Sequence, residues 1–242
     1  MAKQDQEHPD SLLAALKNIW NGKADKNLYM KYFFCVLGIY VAGIIIGMAL
    51  YPGGFNFMTV YVSYLGGSDE NPVGKYPYNA SVFISGILLV PHFIFMYRRL
   101  TPAVKVISYL SCLCGVVGAF GFASIGIFSQ GAKWLASIGI IYDSLDYRMH
   151  GITTWIAYGG LAASAIFMLV AFIRKAVMTR TWPKWWHIVL IYAQALVTIG
   201  LSFFLNPWFG DHLSEWLYTF AFMFWLTEIL LMIPKDVIPA GV

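Results

Sequence analysis

The sequence predicts an all-α integral membrane protein, a bundle of six transmembrane helices with both termini in the cytoplasm. Three observations predict it: a composition too apolar for a water-soluble domain, six hydrophobic runs of bilayer length, and basic residues gathered in alternate loops. Of the 242 residues, 59% are hydrophobic and 12% charged, with a mean hydropathy of +0.66. Charged residues alone make up about a quarter of an ordinary soluble domain. Six spans of roughly 20 residues plus their loops use up the chain, so a single domain is expected.

Residues 1–28 are polar and hold no short apolar core followed by a small-residue cleavage site, so a removed signal peptide is not expected. Within them Leu12, Leu13, Leu16, Ile19 and Trp20 recur at helical spacing beside Lys17, with Asp10 or Ser11 as the cap. This stripe predicts an interfacial helix over about 11–21, ended by Gly22. The spans then fall at about 29–51, 79–98, 104–129, 150–173, 186–206 and 213–233, leaving 234–242 as a cytoplasmic tail. Between spans three and four, Trp134, Leu135, Ile138, Ile141, Tyr142, Leu145 and Met149 form another stripe, which predicts a second interfacial helix over about 132–148.

Loop charge sets the orientation. Arg98, Arg99 and Lys105 lie between spans two and three, and Arg174, Lys175, Arg180 and Lys184 between spans four and five. The other loops hold only Lys75, Lys133 and Arg148 against Asp69, Glu70, Asp143, Asp146, Asp211 and Glu215. The basic loops are therefore assigned to the cytoplasm and the acidic ones to the outer face. Trp182, Trp185 and Trp186 at span five, and Trp208 and Trp216 around the last outer loop, read as interface anchors. The halves show no convincing inverted repeat of the transporter kind.

Small residues punctuate the spans. Gly43 and Gly47 match a small-xxx-small pattern, and Gly115, Gly118, Gly121, Gly159, Gly160 and Ala163 add further close-packing positions. A dimer face and an internal seam both fit, the seam being the commoner use. Cys35, Cys112 and Cys114 lie in apolar runs and are expected to be core thiols, because Cys112-Leu113-Cys114 lacks CxxC spacing.

The first outer loop, about 52–78, is rich in Gly, Pro and Tyr and should be folded rather than loose. It carries Ser63-Tyr64-Leu65-Gly66 and Asn71-Pro72, and Asn79-Ala80-Ser81 opens span two. Gly126-Ile127-Phe128 closes span three and His150-Gly151 opens span four. In this order of motifs, over roughly residues 30–230, the chain resembles the prokaryotic membrane family called domain of unknown function 998. That family is similar in turn to the Frag, DRAM and Sfk group of six-helix membrane proteins. The resemblance implies six helices and an outer polar cluster, some eukaryotic relatives being linked to the handling of lipid anchors or membrane lipids. It implies no known reaction. The family pattern often has Phe-Pro after span three, where this chain has Phe128-Ser129.

Two groups of residues stand out as candidate sites. Ser63, Asn71, Asn79, Asp143, Asp146 and His150 sit toward the outer face, joined by Asp211 and His212. On one unbroken helix, Asp143, Asp146 and His150 fall within about 60° of arc. Carboxylate and imidazole together suit a polar ligand, a divalent metal, or general-base chemistry with His150 as base. Ser, Asn and Asp at such places also commonly cap helices and satisfy loop backbone. No HExxH or Gly-x-Ser-x-Gly motif is present, and Ser63 is followed by Tyr64 and Leu65. The second group, His92, Gln194 and Glu228, lies inside apolar runs at a common depth of about 9–12 Å from the cytoplasmic boundary. Intramembrane ionisable groups point to function by default, though a polar pair can equally hold two spans together.

The leading expectation is an outward-facing polar pocket that binds a lipid headgroup or related amphiphile, with no catalysis required. The alternatives are a lipid hydrolase or transferase using the Asp/His cluster, an accessory subunit of a larger membrane complex, and a proton-coupled transporter resting on His92 and Glu228. No cofactor is expected, a divalent metal at Asp143, Asp146, His150, Asp211 or His212 being the exception. The partners expected are membrane lipids, other membrane subunits or further copies of the chain, not nucleic acid, in a prokaryotic cell membrane.

Overall fold

The computed structural model describes residues 12–129, 143–179 and 185–232, and among these residues every regular element is helical. Helix α1 (Leu12–Trp20) leads through a turn at Gly22 into α2 (Lys26–Ala49). Gly22 has φ +64°, the left-handed conformation that favours glycine after a helix end. The Asp25 carboxylate accepts from the Asn27 and Leu28 amides at 2.8 and 3.0 Å, capping α2. An irregular loop with a 3-10 turn at Ser63–Gly66 follows.

Lys75–Ile127 is helical apart from a kink at Val104, where φ −153° and ψ 69° leave the helical region. The kink divides it into α3 (Lys75–Thr101) and α4 (Val104–Ile127). Pro102 lies at this break, where its missing N–H and its restriction of the preceding residue disfavour a continuous helix. The remaining helices are α5 (Asp143–Thr179) and α6 (Trp185–Met232).

Contacts run up one helix as they run down the next, so α2 to α5 form successive antiparallel hairpins. Tyr32 reaches the Leu88 carbonyl while Gly43 faces Ser81 and Gly47 faces Tyr78. Gly86 abuts Ala123, and Gly115 abuts Phe93. Gly118 and Gly121 lie against Leu161 and Ala157, where a Cβ would stand 2.7 and 2.6 Å from backbone nitrogens. Ser111 and Ser164 exchange hydrogen bonds with each other's carbonyls. The small residues thus make internal seams, and the Gly43–Gly47 pair serves α2 against α3.

Helix α6 has 48 residues, about 72 Å if straight and more than twice the hydrocarbon thickness. It is not a straight rod. The Tyr192 side chain lies beside that of Trp225, and both belong to one hydrophobic cluster with α3 and α5 residues. Thirty-three residues of straight helix would hold them about 50 Å apart. The chain therefore doubles back between them. The Lys26 ammonium, at the start of α2, donates to the Leu231 carbonyl at 2.7 Å near the end of α6. A cation there satisfies a terminal carbonyl and complements the helix dipole.

Four described helices are long and apolar enough to cross a membrane: Lys26–Ala49, Lys75–Thr101, Val104–Ile127 and Arg148–Arg174. Their outward surfaces are apolar, with Trp155 81% exposed and Val106, Ile45 and Ile166 also exposed. Such surface is stable only against lipid or another apolar partner. The bundle departs from the sequence reading in several places. Helix α3 begins at Lys75, shortening the first outer loop, and α5 continues to Thr179, so Arg174 belongs to a helix rather than a loop. Most of the expected 132–148 helix lies outside the described residues, while Asp143 onward is already part of α5. Cys35, expected in the core, is exposed on the outer surface of α2. Trp216, expected at the interface, is buried beneath the first loop.

Candidate functional site

One end of the bundle gathers the first loop, the start of α3, the end of α4, the start of α5 and the segment from His212 to Thr219. Trp216 donates its indole N–H to the Val60 carbonyl and packs edge-on against Phe55 and Phe57. Asn71 is fully buried, donating to the Gly47 and Leu65 carbonyls and accepting from the Gly74 amide. It fastens the loop to α2 and holds Gly74, the residue that precedes α3. Asn79 donates to the Gly66 carbonyl and to Ser129 Oγ, joining the loop to the end of α4. The His212 ring lies 3.9 Å from that of Tyr61.

Beneath this lid lies a small polar cavity of about 20 Å³, room for roughly one water molecule. Ser63 and His150 line it, together with Glu215, Tyr40, Tyr78, Thr154 and Tyr158. Glu215 accepts from the Ser63 amide at 3.4 Å and the Ser63 hydroxyl at 3.3 Å, both long for bonds to a carboxylate. His150 Nδ1 stands 2.8 Å from the Phe128 carbonyl, which can only accept. Nδ1 therefore carries a hydrogen, and in the neutral ring Nε2 is left as an acceptor.

Directly below is an apolar cavity of about 70 Å³, lined by Phe33, Val36, Leu89, Leu161, Phe222 and Leu226 among others. The two cavities share Tyr40, Phe122 and Tyr158 as walls. An apolar slot thus lies directly against a compact space with polar groups in its lining.

Of the sequence-predicted outer cluster, Ser63 and His150 come together, whereas Asn71 is buried in the loop support. Asn79 faces a separate outer crevice with Ser68, Lys75 and Ser129. The side chains of Asp143, Asp146 and Asp211 lie outside the described residues. Among the described residues no group of three His, Cys, Asp or Glu side chains is placed to hold a metal. Glu215 had been counted as a loop charge and Tyr78 falls in the expected first loop, while Tyr40 and Tyr158 were not singled out. A hydroxyl-bearing Tyr inside each of two apolar runs and another just ahead of a third, with a carboxylate two residues into a fourth, was the available signal.

At the opposite end, His92 is 1% exposed among Tyr29, Phe33 and Phe93 rings. Neither His92 ring nitrogen nor Glu228 Oε2 has a hydrogen-bond partner among the described residues, so these two groups are not bonded to each other. The side chain of Gln194 lies outside the described residues.

The fold and its exposed apolar faces define an α-helical integral membrane protein. Residues 34–232 match the family model described as protein of unknown function (DUF998), and the chain belongs to that family. No match was found among curated proteins or solved structures.

Proposed function

We propose that this protein is a six-span membrane protein with cytoplasmic termini whose outer half binds a membrane amphiphile, tail in the apolar cavity and head in the polar one. The single observation that carries this reading is the shared wall of Tyr40, Phe122 and Tyr158, which sets the apolar space directly against the polar one. The doubling back of α6 supports the sixth span, and the loop charges support the orientation. Helix α1, with Leu12, Leu13 and Trp20 exposed and Ile19 buried, suits a cytoplasmic interfacial position. The membrane is that of a prokaryotic cell.

Native mass spectrometry of protein extracted in mild detergent tests the site. Wild type is expected to retain an amphiphile that Leu226→Trp, which fills the apolar cavity, releases. Equal retention by both, or none by wild type, refutes the reading.

A second reading has its own observation. With Nδ1 held by the Phe128 carbonyl, His150 Nε2 is an acceptor at the polar cavity, the arrangement of a general base that activates water against a lipid ester. Turnover of a lipid ester panel that is lost in His150→Asn would favour it, and inertness of the wild type toward the panel would remove it.

A further inference from the structure

The polar cavity is rich in lone pairs and short of available hydrogens. Thr219 donates its single hydroxyl hydrogen to the Glu215 carbonyl at 2.9 Å. Its 3.2 Å bond with Tyr158 must then use the Tyr158 hydrogen, since Thr219 has none left to give. Tyr158 is left with only oxygen lone pairs. The Ser63 hydroxyl hydrogen goes to Glu215, and the Tyr40 and Tyr78 hydroxyls bond to each other. His150 spends its Nδ1 hydrogen on Phe128. The acceptors among the lining residues are the Glu215 carboxylate, which takes long bonds from Ser63 and a further one from the Val62 backbone, the Tyr158 oxygen and the unprotonated nitrogen of a neutral His150. Thr154 Oγ1, buried without a partner among the described residues, and the accepting hydroxyl of the Tyr40–Tyr78 pair each keep a hydrogen to donate.

Among the described residues no Lys or Arg lines either cavity. A phosphate or carboxylate head would bring more acceptors and a negative charge beside Glu215, with two hydroxyl hydrogens and no cationic side chain among the lining residues to meet it. It would also exceed a space sized for one water. A protonated primary amine has the opposite properties: a positive charge, three donors and one heavy atom. Tyrosine rings in the wall add a favourable environment for a cation. The apolar space beneath, about 70 Å³, suits one alkyl chain rather than two.

Resting on the amphiphile reading above, we infer that the ligand is a single-chain amphiphile whose head is a primary ammonium group, received by Glu215 with Tyr158 and His150 as further acceptors. Charge-assisted hydrogen bonds of this kind are the strong ones, and their loss is read as a large affinity change.

Binding of dodecylamine, dodecanol, dodecanoic acid and free ethanolamine to the full chain in phosphatidylcholine nanodiscs tests this. Wild type is expected to bind dodecylamine at least about tenfold more tightly than either other dodecyl probe, the scale of one hydrogen bond to a charged group. In Glu215→Gln the amine should fall to about the affinity of dodecanol, while dodecanol itself is unchanged. Tyr158→Phe, which preserves the wall and deletes only the oxygen, should lower the amine preference in the same direction and serves if the Gln variant fails to fold.

Equal binding of the three dodecyl probes, or a preference for the acid, overturns the amine head while leaving the amphiphile site standing. A preference untouched by both variants overturns it as well. Ethanolamine binding as tightly as dodecylamine would indicate a soluble amine and overturn the amphiphile reading. Absence of binding by every probe, the cavity holding only water, overturns both.

Discussion

The Trp216 indole donates to the Val60 carbonyl across 2.9 Å, so a residue of α6 holds the lid formed by the loop between α2 and α3. Both residues are buried. Trp216→Phe keeps most of the ring packing against Phe55 and Phe57 but leaves the Val60 carbonyl without its donor. Such an orphaned group costs about 1–3 kcal/mol. Thermal unfolding in detergent should show the variant less stable than wild type, and Trp216→Ala lower still through the cavity it opens.

Asn71 gives a prediction with a pH sign. Its side-chain amide donates to two carbonyls, a task a carboxylate cannot perform. In Asn71→Asp the native fold would bind only the protonated acid comfortably, so burial places the folded-state pKa above the unfolded value of about 3.9. Below the unfolded value both states are protonated and the penalty is smallest. Stability should then fall as pH rises from about 4 toward the folded-state pKa and level off above it. Unfolding midpoints measured from pH 4 to pH 8 check this, and a variant that gains stability with rising pH would contradict the assignment.

How much of this arrangement was legible beforehand depended on whether it was written along one helix or between several. Hydrophobic runs and loop charge are local, so α2 to α5 and the seam glycines could be read directly. Ser63 stood out in a turn-rich loop motif, and His150 as a polar group at the head of an apolar run. The cavity did not, because Tyr40, Tyr78 and Tyr158 count as aromatics in any hydropathy scan and their hydroxyls converge only after four helices pack. Glu215 was visible as a charge, but nothing in its neighbours Ser214 and Trp216 says that it turns inward. Asn71 had the opposite fate: its loop context suggested a ligand group, and packing made it a brace.

The glycine seams give a matched pair. A Cβ at Gly118 would stand 2.7 Å from the Leu161 nitrogen, a backbone atom that cannot swing aside, whereas nothing lies within 4 Å of a Cβ at Gly159. Gly118→Ala should therefore force α4 and α5 apart at a cost of about 1–3 kcal/mol. Gly159→Ala should be neutral or stabilising by up to about 1 kcal/mol through helix propensity. Comparing the two unfolding midpoints separates close approach from a general intolerance of larger residues.

His150 can be divided by isosteres. An Asn side-chain nitrogen occupies nearly the place of Nδ1, so His150→Asn should keep the bond to Phe128 and change stability by less than about 1 kcal/mol. His150→Phe removes the donor and should cost about 1–3 kcal/mol. If unfolding shows the two variants equally destabilised, the Phe128 bond is not what holds this ring.

Orientation is the condition under which the cavity meets the outer leaflet. Lys23 precedes α2 at the end holding Lys26, Arg99 and Leu231, whereas Ser68 lies in the loop over the polar cavity and accepts from Lys75. The helices between them place these residues on opposite faces. In a background with Cys35, Cys112 and Cys114 replaced by Ala, a single Cys at position 68 should react with an impermeant maleimide added to intact cells. A Cys at position 23 should react only after the cells are opened. Labelling of both from the same side would mean that the hairpin between them does not cross the membrane, and the head space would lose its outer address.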